Sequence, residues 1–212
     1  MTTKHETEQG RRFARVTPKI AVTAAISALA AVAIAAPMAS ADGASPSGIA
    51  KARAEFRAQA VDEGLTGSQA TALQARVDRL IAQDGGKQSA ANEISYKDGR
   101  LLLPLPGEKY AREMGSGLNG NDPATARHTC TYKAMCGYSG RGYTGEEREW
   151  FSCGTLHKKP SSWRSGGSWY NNQTAGRVAS WYNYNKQWLS NTPAAPYGAN
   201  GNWAPVGYVR AC

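Results

Sequence analysis

Apolar positions recur at helical spacing in two stretches beyond residue 42. Between residues 67 and 84, Ala70, Leu73, Val77, Leu80 and Ile81 repeat every three to four positions. Thr66 with Gln69 forms a capping box ahead of them, and Leu65 can staple against Ala70. This predicts a helix over 67–84 whose narrow apolar stripe needs a partner. The alanine-rich segment 49–61 puts Ile49, Phe56 and Ala60 on one stripe and predicts a shorter helix before it. The period then changes: residues 92–96 and 100–103 flank Lys97-Asp98-Gly99, and Asp-Gly marks a two-residue hairpin turn, with Pro104 and Pro106 ending the second strand. Leu101, Leu102, Leu103 and Leu105 are the most hydrophobic run of this region. So small a unit covers them only partly, so some of the run is expected to dock on the part of the chain that follows.

From Thr129 onward the texture is short aromatic-rich pieces separated by glycine, asparagine, serine and proline, the pattern of a small all-β fold. Strands are predicted at 136–138, 149–153, 168–171, 177–182, 187–189 and 206–211. Aliphatic residues are few, so the core is expected to draw on Trp150, Trp163, Trp169, Trp181, Trp188 and Trp203, helped by disulfide bridges.

The first apolar stretch of the chain has another character. Basic residues within 1–19, an uninterrupted apolar and small-residue run over 20–34, and Ala39-Ser40-Ala41 together predict a secretory signal peptide, 1–41, cut before Asp42. A secreted protein with no stable membrane insertion after cleavage is therefore expected. Charge then divides the remainder: residues 42–121 hold ten Lys/Arg and ten Asp/Glu, residues 122–212 ten and four. The second part also contains all six tryptophans and all four cysteines. Glycine, asparagine and proline cluster at 115–123, which reads as a linker between an N-terminal helical and hairpin region, 42–114, and an all-β domain, 124–212; the fold class is α+β overall. The first region reads either as a helical cap or as an inhibitory pro-segment. An even cysteine count in an exported chain implies disulfides, with three pairings open, and favours them over a zinc site that would use His128 or His157.

Residues 136–153 read CGYSGRGYTGEEREWFSC. Tyr138, Tyr143 and Gly145 stand at aromatic-x4-aromatic-x-glycine spacing; a glycine is required at 145 if the backbone bends there through positive φ, and Gly140 and Gly142 permit the turn. Either an ordinary hairpin with exposed tyrosines or a folded corner with Tyr138 packed over the turn satisfies this spacing.

With the preceding Cys130-x5-Cys136 and the Tyr138-Ser139-Gly140-x-Gly142-x-x-Gly145 core, this stretch resembles the secreted actinobacterial peptidase-inhibitor-like family with a βγ-crystallin-type domain, the group of the streptomycete metalloproteinase inhibitor. Segments 64–86, 101–113, 165–183 and 202–212 resemble longer members of that group, so the likeness covers most of the chain beyond the leader. The resemblance implies a Greek-key sandwich stapled by two disulfides, Cys130 with Cys136 and Cys153 with Cys212; a Cys136–Cys153 bridge across the hairpin is the competing arrangement. The second Greek-key turn departs from the pattern, because no glycine stands two residues after Trp188. Asn171-Asn172-Gln173-Thr174 begins like the group's calcium motif and then diverges, so no metal and no cofactor are expected.

The resemblance implies inhibition of an extracellular peptidase, a metalloproteinase first, by a rigid surface loop. The inhibitory member closes its reactive loop with a further cysteine pair that this chain lacks, so reactive residues do not transfer. The alternative is a non-catalytic binding module for cell-wall or anionic surface polymers, with Trp163, Arg164, Trp169, Tyr170, Tyr184 and Trp203 as the candidate surface and Lys158 and Lys159 beside it. Set against that is a core role for the tryptophans and a solvated turn for the lysines. An enzyme is not expected: His128 and His157 flank cysteines, and Glu146, Glu147 and Glu149, of which the last two share a strand face, read as a surface patch. Nucleic acid is not expected as a partner, and the protein is expected to be a monomer.

Overall fold

The computed structural model describes residues 46–125 and 129–212. The expected signal peptide, residues 42–45 and His128 lie outside the described residues. Helix α1 (Pro46–Asp62) lends the core little more than Ala60 and part of Phe56, while Ile49, expected on its buried stripe, is exposed. Helix α2 (Gly67–Asp84) starts as its pattern predicts: Thr66 Oγ1 accepts from the Gln69 amide at 3.3 Å and Gln69 Oε1 accepts from the Thr66 amide at 2.9 Å. Its stripe of Ala70, Leu73, Val77 and Leu80 is buried, and Gly85, at φ 76°, ends it.

Eleven strands follow: β1 (Lys87–Ala90), β2 (Glu93–Tyr96), β3 (Gly99–Leu102), β4 (Met135–Tyr138), β5 (Glu147–Trp150), β6 (His157–Lys158), β7 (Gly166–Asn171), β8 (Ser180–Tyr182), β9 (Trp188–Asn191), β10 (Tyr197–Asn202) and β11 (Tyr208–Arg210). They form two antiparallel sheets, one of order β1-β2-β3-β5-β4-β7-β10 and one of order β6-β11-β8-β9. Two four-strand motifs run in succession. β4 pairs with β5, β6 joins the other sheet, and β7 returns beside β4; then β8 pairs with β9, β10 joins the first sheet, and β11 returns beside β8. Trp150 and Trp169 from one sheet and Trp181 and Val209 from the other fill the space between them.

β3 pairs with β5, Leu101 opposite Arg148 and Leu102 opposite Glu147, so the N-terminal meander extends the sheet of the tryptophan-rich part. The described residues fall in one compact unit, and the 115–123 stretch, expected as a linker, lies between two parts of a single sheet. The physical reason is the leucine run. Leu101, Leu103 and Leu105 are buried in the same core as α2, Trp150 and Trp163, burial that the meander could not provide alone.

The corner at 138–145 is folded. Tyr143 meets Tyr138 edge to face with ring centroids 5.3 Å apart, and Tyr138 is buried. Gly145 has φ 83°, and a Cβ there would stand 2.2 Å from Ser139 Oγ, so both conformation and space require glycine. Ser168 on β7 locks the turn: its hydroxyl donates to the Gly140 carbonyl and accepts from the Tyr143 amide, each at 2.7 Å. The disulfides are Cys130–Cys136 and Cys153–Cys212, the pairing that the resemblance implies.

Candidate binding surface

Five of the six tryptophans form one chain of touching rings through the sandwich. Trp150 meets Trp163 at 6.4 Å, Trp163 meets Trp203 at 5.2 Å, Trp203 meets Trp181 at 5.3 Å, and Trp181 meets Trp169 at 5.9 Å. Two indole N–H groups are anchored: Trp203 Nε1 donates to the Tyr138 carbonyl and Trp163 Nε1 to Glu146 Oε2, each at 2.7 Å. Trp163, Trp169 and Trp203, expected on a binding surface, are therefore core, as so small a sandwich with few aliphatics requires. The chain nevertheless ends at an opening. Trp169, Trp181 and Trp203 floor a cleft of about 290 Å³ rimmed by Leu189, Ser190 and Val206.

β9 forms the outer wall of that cleft, and a bulge decides what each face of it shows. Ser190 pairs with Trp181 and Trp188 with Tyr182, leaving Leu189 as the extra residue. Leu189 and Ser190 turn toward the cleft, and Trp188, 60 % exposed, stands on the opposite face. There the register aligns Lys158, Tyr208, Tyr182 and Trp188 across all four strands. The indole of Trp188 is held by Nε1 donating to Asn191 Oδ1 at 3.0 Å. Cations interleave with the rings: Arg210 lies 5.5 Å from the centroid of Tyr182 and Lys186 5.6 Å from that of Tyr208.

The 183–187 loop between β8 and β9 is tied down by one side chain. Asn183 Oδ1 accepts from the amides of Asn185 and Gln187, each at 2.9 Å, and its Nδ2 donates to Gln187 Oε1 at 2.8 Å. The backbone closes with Asn183 N to Gln187 O at 2.9 Å and Lys186 N to Asn183 O at 3.0 Å, with Lys186 at φ 62°. All eight residues from Tyr184 to Asn191 are exposed.

Of the other expected surface residues, Arg164 and Tyr184 are exposed and come together with Lys158 and Tyr208 around a groove of about 140 Å³. Tyr170 is half-buried and packs on Tyr143, 6.3 Å away, so it does not join them. Lys159 is not a solvated turn residue. Its ammonium is buried and donates to the carbonyls of Pro160 and Trp163, and burial, with Arg164 adding repulsion, pushes its pKa down to about 8. Lys158 is exposed and pairs with Asp84 at 3.4 Å. Sequence reasoning did not place Tyr182, Lys186, Trp188, Leu189, Tyr208 or Arg210 on a surface. The alternation in Tyr208-Val209-Arg210 carried that signal for Tyr208 and Arg210, since a buried middle residue turns both neighbours outward, and buried Trp181 does the same for Tyr182.

The acidic run expected at the surface is buried instead. Glu146 binds Trp163 and, at 2.8 Å, Arg76; Glu149 accepts from Arg100 Nε at 2.6 Å and from the Thr131 amide at 2.7 Å. Glu147 accepts from the Thr129 hydroxyl, and burial together with the neighbouring Glu149 holds its pKa well above the usual carboxylate range. Glu146 and Glu149 are paired by Arg76 from α2 and Arg100 from β3, which local sequence does not reveal, while Glu147 Oε1 is buried without a hydrogen-bond partner among the described residues. His157 is also buried, between the Asp98 carboxylate at Nδ1 and the Ser152 carbonyl at Nε2, 2.7 Å away. Among the described residues the one His, Cys, Asp or Glu cluster with metal-ligand spacing is Cys130, Cys136 and Glu147, and both sulfurs are consumed in the disulfide. At the calcium-like segment, Asn171 Nδ2 donates to the Arg177 carbonyl at 3.0 Å and Gln173 Nε2 donates to Asn171 Oδ1 at 2.9 Å, so the polar groups are spent within the fold.

Comparison of the chain with family models, with curated proteins and with solved structures returned no match. No helix among the described residues is long and apolar enough to cross a membrane.

Proposed function

We propose that the protein is a secreted inhibitor of extracellular peptidases, metalloproteinases first among them, of the actinobacterial peptidase-inhibitor-like group with a βγ-crystallin-type domain. The strand exchange between the two four-strand motifs, the folded corner at Tyr138 to Gly145, and the disulfide pairing support that family reading.

The observation that carries the inhibitory reading is the 183–187 loop. A peptidase accepts a segment that projects and is already ordered, because little conformational entropy is then lost on binding. Asn183 supplies that order from a single side chain, with Tyr184 60 % exposed beside it. In the family's inhibitory member a cysteine pair closes the reactive loop; here the Asn183–Gln187 hydrogen bonds take that part.

The test is a competition assay of the 42–212 protein against a panel of metallo- and serine peptidases. One class should be inhibited, and Asn183→Ala should weaken inhibition about tenfold while the fold is kept. Inhibition of no peptidase, or full potency in Asn183→Ala, would end this reading.

A further inference from the structure

We infer that the outer face of the β6-β11-β8-β9 sheet binds an anionic glycan. This does not rest on the inhibitory reading, and glycan retention is measured with no peptidase present, so either can fail alone.

Three independent features converge on that face. The first is the aromatic row: Tyr208, Tyr182 and Trp188 are opposite one another in register on three adjacent strands, whose backbones lie about 4.8 Å apart. The second is order in the free protein, since Asn191 fixes the Trp188 indole and also accepts from the Ser180 hydroxyl at 2.9 Å. The third is charge. Residues 150–212 contain six Lys/Arg and no Asp or Glu. Of these, Arg210 and Lys186 stand beside the row's rings, and Arg164 lines the groove that continues from Tyr208. Asp84 pairs with Lys158 at the far end of the row and leaves those three cations to an incoming anion.

Flat apolar rings suit the faces of pyranose sugars, and the cations select chains that carry carboxylate or phosphate groups. The two disulfides belong to an oxidising compartment, where surface polysaccharides are the abundant polyanions.

The experiment is affinity electrophoresis of the 42–212 protein in gels containing polygalacturonate, glycosylated wall teichoic acid, neutral dextran or a single-stranded oligonucleotide. Retardation by either anionic glycan and none by dextran is expected. Trp188→Ala, at an exposed position, should weaken retardation about tenfold, the loss that a single well-packed aromatic contact carries. The Arg164→Glu/Lys186→Glu pair should remove it. Near-ultraviolet circular dichroism checks that both variants keep the tryptophan core. Retardation by the oligonucleotide alone would replace the glycan with nucleic acid. Equal retardation by dextran, none by any polymer, or an unchanged Trp188→Ala variant would overturn the proposal, the last by reducing it to simple ion exchange.

Discussion

Arg100 on β3 donates through Nε to Glu149 Oε2 on β5 at 2.6 Å, and the Glu149 side chain is fully buried. The same guanidinium reaches Glu93 at 3.4 Å and the Thr129 carbonyl at 3.3 Å, so one side chain ties the N-terminal meander to the first four-strand motif. Removing it strands the buried Glu149 charge. Arg100→Met should cost about 3–5 kcal/mol in urea unfolding, far more than loss of a surface pair. A cost under about 1 kcal/mol would mean that Glu149 finds another partner.

The shared sheet also bears on the 115–123 segment. A chain nicked there should stay associated through gel filtration under native conditions, because β3 remains paired with β5 and Leu101, Leu103 and Leu105 remain in the core. Release of residues 42–114 as a separate species would show instead that this part detaches as a pro-segment does.

Asp98 is held well below the usual carboxylate range, chiefly by His157 and with help from Arg148 at 3.0 Å. A depressed carboxyl contributes stability that is present above its unfolded pKa of about 4 and is lost as pH falls toward the folded value. Asp98→Asn should therefore be less stable than the parent at pH 6, with the gap closing in acid. Parallel pH–stability curves would rule out this linkage.

Glu147 shifts the opposite way, so its sign reverses. A raised carboxyl makes the fold most stable below the unfolded pKa, and stability declines as pH climbs toward the folded value. Glu147→Gln keeps an acceptor for the Thr129 hydroxyl and cannot ionise. Thermal midpoints of variant and parent should agree near pH 4 and diverge in favour of the glutamine at pH 7.

The two bridges close loops of very different length, with sequence separations of 6 and 59. Chain entropy assigns about 2 kcal/mol to Cys130–Cys136 and about 4 kcal/mol to Cys153–Cys212. Paired serine substitutions should follow that order in guanidinium unfolding; the reverse order would place the stabilisation in native contacts around Cys130.

Helix α2 and the corner at Gly145 were legible in the chain because each is decided within a few residues, by a capping box and a positive φ; the β2–β3 hairpin was legible too, but Tyr96 pairs with Gly99, so its turn is Lys97-Asp98 and not Asp98-Gly99. Strand β10 was not: Tyr197–Asn202 reads as a polar, glycine-rich loop and becomes a strand through six pairings with β7. The candidate surface divided in the same way. Sequence marked Tyr184 and Arg164 correctly as exposed, but it put Trp163, Trp169 and Trp203 on the surface and left Trp188 with the core, the reverse of the observed burial, since nothing local distinguishes these tryptophans. A bulge at Leu189 and the packing of two sheets sent one ring outward and the others in. Likewise Glu147 and Glu149 share a strand face by alternation alone, whereas their burial depends on Arg100 and Thr129 arriving from elsewhere. The sequence by itself determined the local turns, the helix and the supply of aromatic and basic residues. Tertiary structure decided which of them face solvent, because burial is set by partners far along the chain.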